Sequence, residues 1–418
     1  MHQLDMALAA TRPSDLKLSN RMQILELFKS GAVYSVADIA REIGISRQTV
    51  MKAIQFFLEK GIIVSDGKAD SGSMGGKRAE LFTLSADRYL LNVLICPSCL
   101  YISLFNFRCE TIGDYTREDI VNAPVDEIMD ATIAACDRLL KRHGVAKRDL
   151  RGLCLTTSGI MERGTNRLRY NSLFPEWGKD IPIAEKLAAH YGSGVAVLTE
   201  NVARVCGSGY LPVSRIRHSR GVSVFTRWGG IGACMMTRGH MLCGKDSLIG
   251  EIGHMLINPA DDEVCACGYR GCFERQVSVE RLRTLAHKWA GECPDSELAS
   301  DIDGMTIPGM FEASAKGDPL ARRLSEYAAT QFAAALRNVT LTYNPTAVVF
   351  QGDYAFADEH FRATLFKELR AFKYFAATGA EDEPFVLKMD TRSIQELSTL
   401  GAYTLLIDRL FCDEAMYL

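Results

Sequence analysis

Four residues in the middle of the chain have the types and spacing to hold a metal ion. His254 closes Gly250-Glu-Ile-Gly-His254, and Cys265, Cys267 and Cys272 sit in Cys265-Ala-Cys-Gly-Tyr-Arg-Gly-Cys272. Three thiolates and one imidazole make a closed tetrahedral set, and Gly268 and Gly271 permit the tight loop that aims the sulfurs at one centre. All four positions would be protein ligands, so no vertex is left for a reactive water. The expected ion is therefore a structural zinc.

A second constellation lies near the N-terminus. Ser35 can cap a helix in which Ile39, Ala40 and Ile43 face inward, Gly44 accepts a tight turn, Ile45 plugs the corner, and Ser46 can cap a further helix carrying Val50, Ala53, Ile54, Phe57 and Leu58. That further helix presents Arg47, Gln48, Thr49 and Lys52 near its start, donors suited to phosphates and base edges in a major groove. Ile62–Val64 and Ala79–Leu84 read as two strands around a polar loop bearing Lys68, Lys77 and Arg78. With a first helix over Leu18–Ser30 stopped by Gly31, the pattern is a winged helix-turn-helix, and its expected partner is a double-stranded DNA operator.

The elements that must carry these groups follow from length and patterning. A chain of 418 residues with 47% apolar and 24% charged residues is long enough for two or three packed domains and excludes wholesale disorder. No apolar run is long enough for a membrane span, because Asn92, Pro97, Ser98 and Asn106 break the best candidate, Tyr89–Phe107. The N-terminus lacks the order of a signal peptide, so a cytoplasmic location is expected. Thirteen cysteines is an odd number, and most sit singly in apolar runs such as those around Cys136, Cys154, Cys206 and Cys234, which argues against a disulfide framework. The formal charge of −3 excludes a polyanion binder over the whole chain, although residues 1–84 are slightly basic.

Beyond Tyr89 the texture is α/β. Strands are expected at Tyr89–Ile95, Leu100–Phe105, Leu153–Thr157, Val195–Leu198, Gly221–Phe225 and Ala347–Gln351, helices at Val125–His143 and Ile183–Tyr191, and a loop at Ala290–Pro308. Such alternation implies two α/β lobes with a cleft between them.

Gly-Glu-Ile-Gly-His followed by Cys-x-Cys-Gly-x-x-Gly-Cys-x-Glu resembles the signature of the ROK family of repressors, open reading frames and sugar kinases, whose domain is a two-lobed actin-like fold. A winged helix ahead of it resembles the repressor branch. The resemblance implies three segments: a DNA-binding domain over 1–86, a lobe over 87–202 plus about 392–418, and a second lobe over 203–391 with the zinc loop. It implies that zinc on His254, Cys265, Cys267 and Cys272 props up a sugar-binding loop. It further implies that Glu251, His254 and Glu274 face sugar hydroxyls, joined by Asn201 from the opposite lobe. Carboxylates and amides are suitable partners for such hydroxyls.

The kinase machinery of that family is damaged here. Its Asn-Asp-Ala-Asn stretch reads Asn201-Val-Ala-Arg204, so the base position holds Val202, which cannot accept a proton. On an extended segment Glu200 would share Val202's side, though displaced by several ångströms. The first phosphate loop reads Leu94-Ile-Cys-Pro-Ser98, the later glycine run reads Phe350-Gln-Gly-Asp353, and only Gly229-Gly-Ile-Gly232 keeps a phosphate-loop look, which equally suits a hairpin bend. Arg204 is either an anion ligand or a salt-bridged structural group. The expectation is thus a non-catalytic regulator, a repressor by resemblance, that binds operator DNA as a homodimer or tetramer and senses a carbohydrate-related effector. Two alternatives are an ATP-dependent sugar kinase with a DNA-binding head, and a thiol-responsive regulator using Cys96-Pro-Ser-Cys99, whose cysteines turn between two strands and read better as partly buried thiols.

Overall fold

A computed structural model of the protein describes residues 13–29, 31–69, 78–120, 123–162, 164–210, 220–377 and 384–412. The chain divides into two compact units, one built from Met1–Leu155, Ile183–Thr199 and Ala402–Leu418, the other from Thr156–Pro182 and Glu200–Gly401.

The first unit begins with the winged helix. Helix α1 (Pro13–Phe28) starts at Pro13 rather than Leu18, proline being well suited to a first helical turn. A short strand β1 (Tyr34–Ser35) leads into α2 (Val36–Ile43), whose Ser35 cap and Asp38 form a reciprocal capping box. Gly44 takes the left-handed conformation at φ 76°, and Ser46 caps α3 (Arg47–Glu59) by accepting from the Thr49 amide. Ile24, Leu25, Phe28, Ile39, Val50, Ile54 and Phe57 are fully buried between the three helices, each contributing on the order of 2 kcal/mol of transfer free energy. The wing is β2 (Ile63–Lys68) antiparallel to β3 (Glu80–Leu84), and β1 adds to the other edge of β3 by pairing Tyr34 with Phe82.

The same unit holds a five-stranded sheet in the order β10-β7-β4-β5-β6, from β4 (Tyr89–Ile95), β5 (Cys99–Asn106), β6 (Thr116–Asp119), β7 (Leu150–Thr157) and β10 (Ala196–Asn201). Helix α4 (Val125–Arg142) buries Ile128, Met129, Ala135, Cys136, Leu139 and Leu140, a stripe at helical spacing, with Asp126 and Glu127 in its first turn and Lys141 and Arg142 in its last. The winged helix is tied to this body at three places. Lys29 pairs with Asp408, Arg108 Nε donates to the Leu84 carbonyl at 2.7 Å, and the Arg88 guanidinium lies over Gly61, where a Cβ would come within 2.7 Å of it.

The second unit holds a two-stranded ribbon, β8 (Ile160–Glu162) with β9 (Arg167–Tyr170), and a five-stranded sheet in the order β13-β12-β11-β14-β15. Here β11 (Arg220–Arg227) runs antiparallel to β12 (Gly230–Thr237) and parallel to β14 (Ala347–Gly352), with β13 (His240–Met241) and β15 (Val386–Asp390) at the edges. Helix α5 (Glu185–Tyr191) belongs to the first unit, and α6 (Val202–Tyr210) opens the second. Short α7 (Phe273–Gln276) and α8 (Val279–Trp289) follow the cysteine loop. The stretch expected as a loop at Ala290–Pro308 resolves into two single turns, Ala290–Glu292 and Leu298–Ser300, before α9 (Ile307–Lys316), which Thr306 caps. The core centres on α10 (Pro319–Tyr343) and α11 (Glu359–Arg370), where the Phe332, Phe350, Tyr354 and Phe361 rings meet at centroid distances of 4.4–6.3 Å. Helix α12 (Lys373–Ala377) is a short appendage, and α13 (Ile394–Cys412) ends the described chain.

Candidate metal and effector centre, and candidate DNA interface

The expected metal donors converge. The ligand atoms of His254, Cys265, Cys267 and Cys272 all lie within 4.8 Å of one another, with His254 Nδ1 3.6 Å from Cys265 Sγ and the Cys267 and Cys272 sulfurs 3.5 Å apart. Ligands on the vertices of a zinc tetrahedron are separated by about 3.8 Å, so the donor set fits that ion after a small contraction. Burial pushes the Cys272 thiol up to about 11, and the Cys265 thiol rises further for the same reason. A cation is what would let these buried sulfurs ionise.

Backbone geometry fixes the segment. Gly250 sits at φ 100°, where a Cβ would stand 2.1 Å from the Ala233 carbonyl, and a Cβ on Gly253 would stand 2.4 Å from the Ile231 carbonyl. Ala233 N donates to the Gly250 carbonyl at 2.7 Å, so Gly250–His254 lies against β12 and only glycine allows that approach. Gly271 is likewise left-handed, at φ 75°.

Glu251, His254 and Glu274 come together beside the cysteines. Glu274 Oε1 is 3.4 Å from His254 Nδ1 and accepts from Cys265 Sγ at 3.1 Å, while its other oxygen accepts from Ile231 N at 3.4 Å. Burial holds the Glu251 carboxyl above its ordinary range, opposed by the charges of Arg204 and His254.

Asn201 belongs to the same unit as these three, not to an opposite lobe, and its amide is committed locally. Its Nδ2 donates to the Gly159 carbonyl at 2.9 Å, and its Oδ1 accepts from Ala203 N at 2.8 Å, which starts helix α6. The sequence reading missed Ser158 and Asn171 nearby. Ser158 Oγ donates to Asn171 Oδ1 at 2.8 Å and Asn171 Nδ2 returns a bond to the Ser158 carbonyl at 3.1 Å, a polar pair whose partners are too far apart in sequence to recognise by spacing.

Arg204 resolves to the structural alternative. It is 2% exposed, its Nη1 lies 3.2 Å from Glu200 Oε1, its Nη2 donates to the Ser247 carbonyl, and Glu251 Oε1 stands 3.9 Å away. Glu200 is fully buried and also accepts from Asn201 N at 2.9 Å. The extended geometry considered for Glu200 and Val202 does not occur, because β10 ends at Asn201 and Val202 is the first residue of α6, buried at 5% exposure.

The other positions aligned with phosphate loops are also packed. Leu94 and Cys96 are buried, and Cys96 N donates to the Cys99 carbonyl at 2.9 Å, closing a tight hairpin at Pro97-Ser98 with Cys99 also buried. Trp228 and Gly229, at φ 54° and 77°, form the two-residue turn of the β11–β12 hairpin. Gln351 is fully buried, accepting from Ser223 Oγ at 2.5 Å and donating to Asp390 Oδ2 at 3.0 Å.

On the winged helix, Arg47, Gln48 and Lys52 are exposed on α3, whereas the Thr49 hydroxyl is shared with the Ser46 cap at 2.9 Å. Met51, 60% exposed on the same helix, was missed by the sequence reading and offers an apolar contact of the kind a thymine methyl accepts. Arg78 is exposed at the base of the wing, and Lys77 lies outside the described residues. Among the described residues no helix is long and apolar enough to cross a membrane.

A winged helix-turn-helix in front of a two-lobed α/β domain of the actin-like kinase fold defines the class, and comparison with known proteins agrees. The chain belongs to the ROK family, whose model matches residues 111–409, and a winged helix-turn-helix DNA-binding model matches residues 18–64. It is 22% identical over 334 residues to the DNA-binding transcriptional repressor Mlc of Escherichia coli, covering 80% of each chain. It is 28% identical over 255 residues to a glucokinase of Halalkalibacterium halodurans, covering 59% of this chain and 75% of that one. Among solved structures, a ROK family transcriptional regulator homologous to Mlc superposes with a TM-score of 0.80 at 18% identity, over 95% of this chain and 98% of the other. A ROK family glucokinase from Streptomyces griseus, solved with glucose and AMPPNP, gives 0.60 at 19% identity, over 76% of this chain and 98% of the other.

Proposed function

We propose that this protein is a sequence-specific transcriptional regulator, a repressor in its DNA-bound state, that senses a carbohydrate-related effector and has no kinase activity. The observation that carries the reading is the capped winged helix, with Arg47, Gln48 and Lys52 exposed on its second helix-turn-helix helix. Similarity to a DNA-binding repressor over 80% of both chains supports it. Residues 1–86 act as the DNA-reading head, with Lys77 and Arg78 as wing contacts to phosphate. Residues 87–202 with about 392–418, and 203–391, act as the two lobes.

In this reading zinc is held by His254, Cys265, Cys267 and Cys272 and serves as a structural brace. Glu251, His254 and Glu274 supply hydrogen-bonding groups to hydroxyls of the effector, with Asn201 shaping the same region. Arg204 is a tether for Glu251 and Glu200, not an anion ligand, because both charges face it in a buried setting. Paired recognition helices reading half-sites one or more DNA turns apart require a homo-oligomer. The absence of phosphoryl transfer rests on Val202, whose side chain is apolar and buried, and on Glu200, whose carboxylate is occupied by Arg204.

The test begins with duplexes selected from a random pool by the pure protein and measured by fluorescence anisotropy. Neutral sugars, sugar phosphates and ATP are then titrated in. A sugar or sugar phosphate that shifts DNA affinity, with the shift lost in Glu251→Ala and with no sugar-dependent ADP release, is the expected result. Sugar-dependent ADP release would replace this reading with the kinase, and unchanged DNA affinity across the sugars would remove the sensing half.

A further inference from the structure

The loop that carries the metal donors leaves its backbone ladder part-way. After His254 the chain runs beside the stretch around Cys272: Phe273 N donates to the Met255 carbonyl at 2.9 Å, and Ile257 N and Asn258 N donate to the Gly271 carbonyl at 2.9 and 3.2 Å. Pairing resumes where Val264 bridges to Arg270, one residue before Cys265. Between those points the chain makes an excursion through Asp261 and Glu263, and side chains take over the hold.

Those side chains come from the two helices that follow the cysteines. Helix α7 begins directly after Cys272, turns Glu274 towards His254 and Cys265, and turns Gln276 towards the excursion. Gln276 is fully buried with both ends of its amide used. Its Nε2 donates to Asp261 Oδ2 at 2.6 Å, and its Oε1 accepts from Asn258 Nδ2 at 3.1 Å and from the Tyr327 hydroxyl, on α10, at 3.3 Å. From the first turn of α8, Arg281 forks across two carboxylates, Nη2 to Asp261 Oδ1 at 3.2 Å and Nη1 to Glu263 Oε1 at 3.3 Å, while Arg275 Nη2 donates to the other Glu263 oxygen. The Asp261 side chain is 3% exposed, so water screens these bonds little.

The placement of this clamp gives it a consequence. Its bonds go to Asn258, Asp261 and Glu263, and so grip the chain between His254 and Cys265, two donors eleven positions apart in sequence whose Nδ1 and Sγ stand 3.6 Å apart. An ion that had to close this loop unaided would lose part of its binding free energy to ordering the chain, whereas a loop held from outside meets the ion prearranged. We infer that Gln276 and Arg281 are positioning residues for the metal centre: by gripping Asp261 and Glu263 they set where Cys265 stands relative to His254. The inference rests on the zinc reading above and adds to it the residues that prearrange the site. Lysine at position 281 would keep the charge but not the planar fork that spans both carboxylates.

Cobalt(II), titrated into the metal-free full-length protein under reducing conditions, is the probe, because a tetrahedral cysteine and histidine set gives it visible bands that report its ligands. Zinc affinity is then read by competition against a chromophoric chelator. The parent should show the bands of three thiolates and one imidazole. Gln276→Met and Arg281→Gln should each bind both ions at least about tenfold more weakly, with weakened sulfur-to-cobalt absorption at saturation as Cys265 falls out of place. Arg281→Lys should recover part of the affinity. Lys316→Gln, a surface lysine of the same unit paired with Glu312, should match the parent. Urea unfolding of the metal-free proteins separates positioning from stability, and Arg281→Gln keeps the test decisive should Gln276→Met not fold. Parent-like affinity and bands in both variants would overturn the inference. So would affinity losses that track the urea midpoint while the bands stay parent-like, which would make the clamp a stabiliser of the unit. A parent that gives no tetrahedral cobalt bands would overturn the zinc reading itself, and the positioning role with it.

Discussion

Replacing Arg204 with methionine should destabilise the second unit strongly, and the structure sets the size of the effect. Arg204 and Glu200 are 2% and 0% exposed and stand 3.2 Å apart, so solvent screens them little. At an effective dielectric near 20 a pair at that distance interacts by about 5 kcal/mol, and breaking a buried pair by removing one partner costs about 3–5 kcal/mol. Methionine keeps much of the aliphatic volume, so the loss is electrostatic rather than a cavity. The Asn201 amide still donates to Glu200, which places the expectation toward the lower figure. All three tryptophans, Trp177, Trp228 and Trp289, lie in the second unit, so their fluorescence during urea unfolding reports that unit alone. With a slope of about 3 kcal/mol/M the midpoint should fall by about 1 M. The double variant Glu200→Gln with Arg204→Met should recover most of the loss. A midpoint within about 0.2 M of the parent, or a double variant no better than the single, would refute the pairing as the source of stability.

Other expectations are open to direct measurement. Gly250→Ala drives a Cβ to 2.1 Å from a backbone carbonyl, so the urea midpoint read by tryptophan fluorescence should drop by more than for Gly44→Ala, whose Cβ meets nothing within 4 Å and which costs only about 1 kcal/mol of backbone strain, read by circular dichroism. Purified protein should carry about one zinc per chain by atomic emission, and Cys272→Ser should lose most of it; full zinc content in that variant would contradict the proposed ligand set. Lys52→Ala should weaken DNA binding and reduce the slope of log affinity against log salt by about one. For Lys29, burial lowers its pKa, but Asp408 and Glu26 outweigh this and raise it above 10.5 overall. Its stabilisation is therefore present at neutral pH and lost as pH rises through the folded pKa. Parent and Lys29→Met should differ in thermal midpoint at pH 8 and converge at alkaline pH above about 10.5.

The parts of this architecture that depend on neighbours in sequence were legible. Ser35, Gly44 and Ser46 act within a few residues of themselves, so the capping box, the left-handed turn and the second cap could be read from residue type alone. The same holds for Cys265, Cys267 and Cys272, whose loop is only long enough to turn on itself. Arg204 was not legible, because one of its partners, Ser247, is distant in sequence and the choice between a ligand and a tether is made by burial. Helix α6 starting at Val202 defeated the extended reading for a similar reason: the Asn201 side chain caps it from a position where an asparagine equally suits a binding site. The two-residue strand β1 is too short for any periodic signal and exists because β3 offers it an open edge.

The ties between the winged helix and its unit bear on how family members can be recombined. Lys29 reaches Asp408 near the end of the chain, Gly61 accommodates Arg88, and Leu84 is held by Arg108. A cut after residue 86 would sever all three at once and expose Ile62 and Phe107 at the break. The head is therefore a poor cassette: a chimera that grafts it onto another ROK domain must bring along the docking face, spread over residues 88–108 and the last helical turns, or it will join two surfaces that do not match. Variation in DNA specificity can accumulate freely on the outer face of α3, while the opposite side of the head is bound to change only in step with the C-terminus.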